Sequence, residues 1–127
     1  MKPSDYCENL FAYKRINTRK AHVGNLTIGG LEPVRVQSMT TTNTNDTKAS
    51  VEQAIRIINA GGEVVRLTTQ GRPEAQNMEN ISKSLRAQGY TTPLVADVHY
   101  NPAAAEIAAK YSEKVRINPG NYTGGAK

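Results

Sequence analysis

A single cysteine, Cys7, is all the thiol chemistry the sequence offers. One sulfur excludes an internal disulfide, a multi-cysteine zinc site and a cysteine-bound iron–sulfur cluster within the chain, because each needs several. Long apolar runs are missing too. No stretch approaches the ~18 apolar residues of a membrane-spanning helix, and residues 1–10 lack the apolar core of a signal peptide. These absences point to a cytoplasmic protein with no membrane partner. Basic residues outnumber acidic ones, 16 Lys and Arg against 11 Asp and Glu, yet they form no basic run and no pattern interleaved with aromatics. Nucleic acid is therefore not the expected partner. No G-x-G-x-x-G motif follows the first strand-like segment, so the mark of a dinucleotide-binding sheet is absent.

What is present is the balance of one modest globular domain: 127 residues, 38% hydrophobic and 21% charged. Four segments, 34–39, 63–69, 94–100 and 115–121, alternate apolar and polar residues. Read as strands, they put side chains two apart on one face. Arg35 and Gln37, Arg66 and Thr68, Asp97 and His99, and Arg116 and Asn118 then point one way. Val34, Val36, Val65, Leu67, Ala96, Val98, Val115 and Ile117 point the other way, as strands covered by helices on one side require.

Between the strands lie three stripes of helical spacing: Val51, Ala54, Ile55 and Ile58; Ala75, Met78, Ile81 and Leu85; Ala104, Ile107, Ala108 and Tyr111. Asp46 suits an N-cap, Gly61-Gly62 and Gly89 suit helix stops, and Asn101-Pro102 supplies a cap followed by an N1 proline. Before the first strand, residues 19–31 read as a hairpin around Gly24-Asn25 with a further turn at Gly29-Gly30, a lid on the amino end of the sheet. The strand–helix alternation predicts parallel crossovers. A charged stripe on one face of every strand would be buried unpaired in an open doubly wound sheet, whereas it lines a site near the mouth of a closed barrel. The expected fold class is α/β, the first half of a TIM-type (β/α)8 barrel, about four βα units preceded by a β-hairpin. Four strands are half the number such a barrel needs, so a fragment of a larger protein is expected, with free sheet edges that favour pairing between copies.

Arg66 and Arg116 sit near the carboxyl ends of their strands, where guanidinium forks grip phosphate. The ordinary alternative is an ion pair, Arg66 with Asp97 above all. Two arginines and one acid leave positive charge over, and a diphosphate or other doubly charged anion is its complement. Asn118-Pro119-Gly120-Asn121 closes the last strand with a sharp turn. Asp97-x-His99 suits two metal ligands or an acid–base pair, but the only other histidine, His22, lies in the hairpin, so a metal site is not expected. The loop at Thr40, Thr41 and Thr42 and the loop at Gln70-Gly71-Arg72-Pro73 are polar and could border a ligand. On these residues alone, a metal-assisted or acid–base barrel enzyme of a phosphorylated substrate using Asp97 and His99, or a non-catalytic module that binds an anion or nucleic acid, stays open.

Gly29-Gly30, Val36-Gln37-Ser38-Met39-Thr40, Val64-Val65-Arg66-Leu67, Leu94-Val95-Ala96-Asp97-Val98-His99-Tyr100-Asn101-Pro102 and Val115-Arg116-Ile117-Asn118-Pro119-Gly120-Asn121 together resemble the hydroxymethylbutenyl diphosphate synthase family, in order and with its spacing. The resemblance implies a barrel like that of dihydropteroate synthase. It also implies reductive opening and dehydroxylation of methylerythritol cyclodiphosphate in isoprenoid biosynthesis. Two electrons would come from ferredoxin or flavodoxin through a four-iron four-sulfur cluster. It further implies that Arg66, Arg116, Asn118, Asn121, Asp97, His99 and Gln37 surround the diphosphate. The cluster ligands belong to a carboxyl-terminal domain unmatched here. Residues 1–127 are then the amino-terminal part of the substrate barrel, expected to bind no cluster, to hold no catalytic residue and to be inactive alone, in a protein expected to be a homo-oligomer.

Overall fold

The computed structural model describes residues 11–12, 14–99 and 101–122. Cys7, the leader at residues 1–10, Tyr100 as a strand end, and residues 123–127 lie outside the described residues. The chain divides between Val34 and Arg35 into two compact units. In the first, β1 (Ala21–Val23) and β2 (Leu26–Ile28) form the expected antiparallel hairpin, with Val23 opposite Leu26 across Gly24-Asn25. Glu32 N–H closes the Gly29-Gly30 turn on the Gly29 carbonyl at 3.1 Å.

The second unit runs β3 (Gln37–Met39), α1 (Thr47–Asn59), β4 (Val64–Thr69), α2 (Arg72–Ala87), β5 (Leu94–Val98), α3 (Pro102–Ala108) and β6 (Lys114–Ile117). Its strands form one sheet in the order β3-β4-β5-β6, every neighbour parallel. The helices begin and end where local chemistry dictates. Asp46 accepts from Ala49 N–H at 3.0 Å and caps α1, and Asn101 does the same for α3 through Ala103 N–H at 3.1 Å. Gly61 and Gly89, with φ of 103° and 86°, take the left-handed conformation that ends α1 and α2. Asp46→Ala, which removes one cap and nothing from the site, is expected to cost about 1 kcal/mol in urea denaturation.

The core is one layer between sheet and helices. Val65 and Leu67 of β4, with Ala96 and Val98 of β5, meet Ala54 of α1, Ala75, Met78, Ile81 and Leu85 of α2, and Ala104 and Ala108 of α3. These strand residues share one face by register, Leu67 beside Ala96 and Thr69 beside Val98. All three helices therefore pack on the same side of the sheet, as in a barrel wall and unlike a doubly wound sheet. The α2 stripe is buried throughout, as its spacing requires. In α1 the buried set is Ser50, Val51 and Ala54, while Ile55 and Ile58 pack only partly. Ser50 tolerates burial because its hydroxyl bonds Thr42 Oγ1 at 3.0 Å and the Asn43 carbonyl at 3.1 Å.

The strands are shorter than the alternation predicts, and the apolar face is not covered throughout. Val36 is 56% exposed and Ile117 40%, and Val34, just before the second unit, is exposed as well. The physical reason is position. β3 and β6 are edge strands with a neighbour on one side only, so alternation fixes which way their side chains face but supplies nothing to cover them. No helix among the described residues is long and apolar enough to cross a membrane.

Candidate functional site

On the face away from the helices, register stacks the side chains in layers. The lowest holds Gln37 and Val64, the next Met39, Arg66, Val95 and Lys114, and the third Thr68, Asp97 and Arg116. His99 and Asn118 follow beyond the ends of β5 and β6. Val64 and Val95 are buried. The face is thus apolar toward the amino ends of the central strands and charged toward their carboxyl ends, where barrel sites lie.

Asp97 is the centre of the charged part. Its side chain is 3% exposed, and each carboxylate oxygen takes a different arginine. Arg66 Nη2 donates to Oδ2 at 2.6 Å and Arg116 Nη1 to Oδ1 at 3.1 Å. His99 Nε2 stands 3.7 Å from Oδ2, at ion-pair range if the ring is protonated. A buried carboxylate is tolerated only when paired and hydrogen-bonded, and here two charge-assisted bonds do that. The cluster keeps a net positive charge, two guanidinium groups against one carboxylate. Each guanidinium has five N–H donors, and Arg66 Nε is buried with no hydrogen-bond partner among the described residues.

The other expected site residues fall in different places. Asn118 Oδ1 accepts from Gly120 N–H at 3.1 Å, and Asn121 N–H donates to the Asn118 carbonyl at 3.0 Å. Asn118 therefore shapes the turn after β6, and Asn121 closes it. Gln37 is on the correct face, but the register sets it two layers below Asp97, roughly 13 Å along the strand direction. Lys114 shares the face, one layer below Arg116 and just outside the alternating segment that begins at Val115.

The loop after β3 is pinned. Gln53 of α1 accepts from the N–H groups of Thr41 at 2.9 Å and Thr42 at 3.2 Å. Thr44 Oγ1 donates to the Thr68 carbonyl at 2.6 Å, and Asn77 Nδ2 to the Thr44 carbonyl at 2.7 Å. Thr42, Asn43, Thr44, Asn45, Thr68, Gln70 and Glu74 line an open polar cleft of about 320 Å³ at the carboxyl ends of β3 and β4. Gln53, Thr44 and Asn77 carry no motif that marks them. Their partners lie up to 33 residues away, and only the fold brings them together. Arg72, at the exposed start of α2, stays on the surface.

No group of three or more His, Cys, Asp and Glu converges among the described residues. A four-iron cluster bound through several thiolates does not fit this donor set, since the whole sequence has one cysteine.

The family profile "GcpE TIM-barrel domain" matches residues 18–127. The chain is 59% identical over 119 residues to a protein of Bacteroides thetaiotaomicron named 4-hydroxy-3-methylbut-2-en-1-yl diphosphate synthase (flavodoxin), covering 94% of this chain and 19% of the relative. A relative of the same name from Phocaeicola vulgatus is 61% identical over 114 residues, 90% of this chain and 19% of its own. One from Akkermansia muciniphila is 50% identical over 119 residues, 94% and 20% respectively. The chain spans about a fifth of the length of these curated relatives.

Proposed function

Because the chain belongs to the GcpE TIM-barrel domain family, we propose that it is the amino-terminal part of the substrate barrel of a 4-hydroxy-3-methylbut-2-en-1-yl diphosphate synthase. In this reading the charged end of the strand face binds the diphosphate of methylerythritol cyclodiphosphate. The full-length protein opens that ring and removes one hydroxyl as water, consuming two electrons and two protons. Relatives named as flavodoxin-dependent support flavodoxin as the electron donor. The iron–sulfur cluster, which supplies the electron transfer, would be held by residues elsewhere in the full-length protein.

One observation carries the binding reading: two arginines share a single buried carboxylate, so their geometry is set while their charge is only half neutralised. Asp97 holds both forks in place before the ligand arrives, which lowers the ordering cost of binding. Arg66 and Arg116 would then direct their remaining N–H groups at the two phosphate groups, and His99 would contribute a ring N–H beside them. Asn118 and Asn121 would support the rim through their turn, and Gln37 would stand furthest from the phosphates.

The test is competition. In the full-length protein, inorganic diphosphate should displace the cyclic substrate at least about tenfold more effectively than inorganic phosphate, since a second charge-assisted contact is worth roughly 1.5–3 kcal/mol. Equal potency of the two anions would remove the diphosphate reading.

A further inference from the structure

The two arginine-bearing strands start with the same short pattern, Glu-x-Val-Arg followed by Leu or Ile: Glu63-Val64-Val65-Arg66-Leu67 and Glu113-Lys114-Val115-Arg116-Ile117. The two glutamates do the same thing. Glu63 donates its N–H to the Val36 carbonyl at 2.8 Å, and its Oε2 accepts from Val36 N–H at 2.8 Å. Glu113 donates its N–H to the Leu94 carbonyl at 3.1 Å, and its Oε2 accepts from Leu94 N–H at 2.7 Å. Each glutamate thus grips both polar groups of one residue at the entry of the neighbouring strand. Its second oxygen is held by an arginine, Arg35 for Glu63 at 3.3 Å and Arg86 for Glu113 at 2.9 Å. Arg86 is itself fixed through the Tyr90 and Thr92 carbonyls, both at 3.0 Å.

These clamps sit at the weak joints of the sheet. β4 and β5 pair over five registered residues between the other strands, with β5 buried along its whole length, and among the described residues no glutamate clamp joins them. β3 and β6, the edge strands, pair over three and four. Register errors matter because a one-residue slip would turn Arg116 onto the helix face, and a two-residue slip would carry it roughly 6.6 Å along β5, away from Asp97.

We propose that Glu113 is a positioning residue for anion binding: its paired bonds to Leu94, braced by Arg86, set the β5–β6 register that puts Arg116 beside Asp97. Glu63 is its counterpart on β3, setting the position of Gln37. The inference rests on the diphosphate reading above.

A double-mutant cycle in the full-length protein tests it. Glu113→Ala should raise KM for the cyclic diphosphate on the order of tenfold or more with a smaller change in kcat, as expected when a loosened register takes a binding group away from its ligand. Glu113→Gln keeps an oxygen acceptor for Leu94 N–H and should recover most of the loss. The decisive comparison adds Glu113→Ala to Arg116→Ala. If Glu113 acts through Arg116, the double variant binds no more weakly than Arg116→Ala alone. Wild-type KM in Glu113→Ala, or penalties that add in the double variant, would overturn the proposal while leaving the diphosphate reading intact. An unchanged KM in Arg116→Ala alone would overturn that reading, and the positioning role with it. Should Glu113→Ala fail to fold, Arg86→Ala, which removes the brace together with its bonds to the Tyr90 and Thr92 carbonyls, replaces it in the same cycle. The same non-additivity is expected, and additive losses overturn the proposal.

Discussion

Arg116→Ala in the full-length protein is expected to weaken binding of the cyclic diphosphate about a hundredfold and to leave the iron content unchanged. The magnitude follows from the contacts removed. Two charge-assisted hydrogen bonds to phosphate are worth roughly 1.5–3 kcal/mol each, and the side chain is 39% exposed, which favours the lower end of that sum, near two orders of magnitude. Arg116→Lys keeps the charge but loses the planar fork, so it should fall between wild type and alanine. Equilibrium titration with substrate gives the affinity, and iron analysis shows whether the rest of the protein is undisturbed. A full hundredfold loss in the lysine variant as well would point to fork geometry as the whole contribution.

The second large effect is expected at Asp97. Removing this carboxylate leaves two guanidinium groups facing each other with no anion between them. Breaking a fully buried pair costs about 3–5 kcal/mol. Since Arg66 and Arg116 are 26% and 39% exposed, solvent screens part of this, and about 2–3 kcal/mol is the expected loss for Asp97→Ala. The loss should be read as a lowered melting temperature of the full-length protein without ligand. Added inorganic diphosphate should raise that temperature more in Asp97→Ala than in wild type, because without the carboxylate the anion meets two uncompensated guanidinium groups, a gain that outweighs the lost pre-organisation. An equal rise in both proteins would separate Asp97 from the anion site.

Much of this architecture is legible in the sequence because local periodicity encodes it. Ala75, Met78, Ile81 and Leu85 repeat at helical spacing and are all buried, and Gly24-Asn25 fixes a hairpin by turn geometry alone. The polar strand face is equally readable, since side-chain direction in a strand follows parity. Features that depend on register or long-range contact are not readable this way. Alternation puts Val36 and Ile117 on the apolar face but cannot say that an edge strand leaves them exposed.

The pairing of Asp97 is partly legible. The Arg66 contact was the obvious ion pair, whereas the Arg116 contact exists because β5 and β6 register Asp97 against Arg116. Gln37 shares the face of the arginines, yet its distance from them appears only once the layers are counted. The glutamates were hidden differently. Their repeated spacing before each arginine was visible, but a glutamate at a strand entry reads as a solvated residue until its two backbone bonds to the neighbouring strand are seen.

On this reading the charged end of the strand face holds the diphosphate. A crystal structure of the full-length protein with methylerythritol cyclodiphosphate bound tests it most directly. The expected result puts phosphate oxygens within hydrogen-bond distance of both Arg66 and Arg116, with Asp97 still between the two guanidinium groups. Phosphates bound elsewhere in the barrel, with Arg66 and Arg116 paired to Asp97 and touching no ligand, would contradict it.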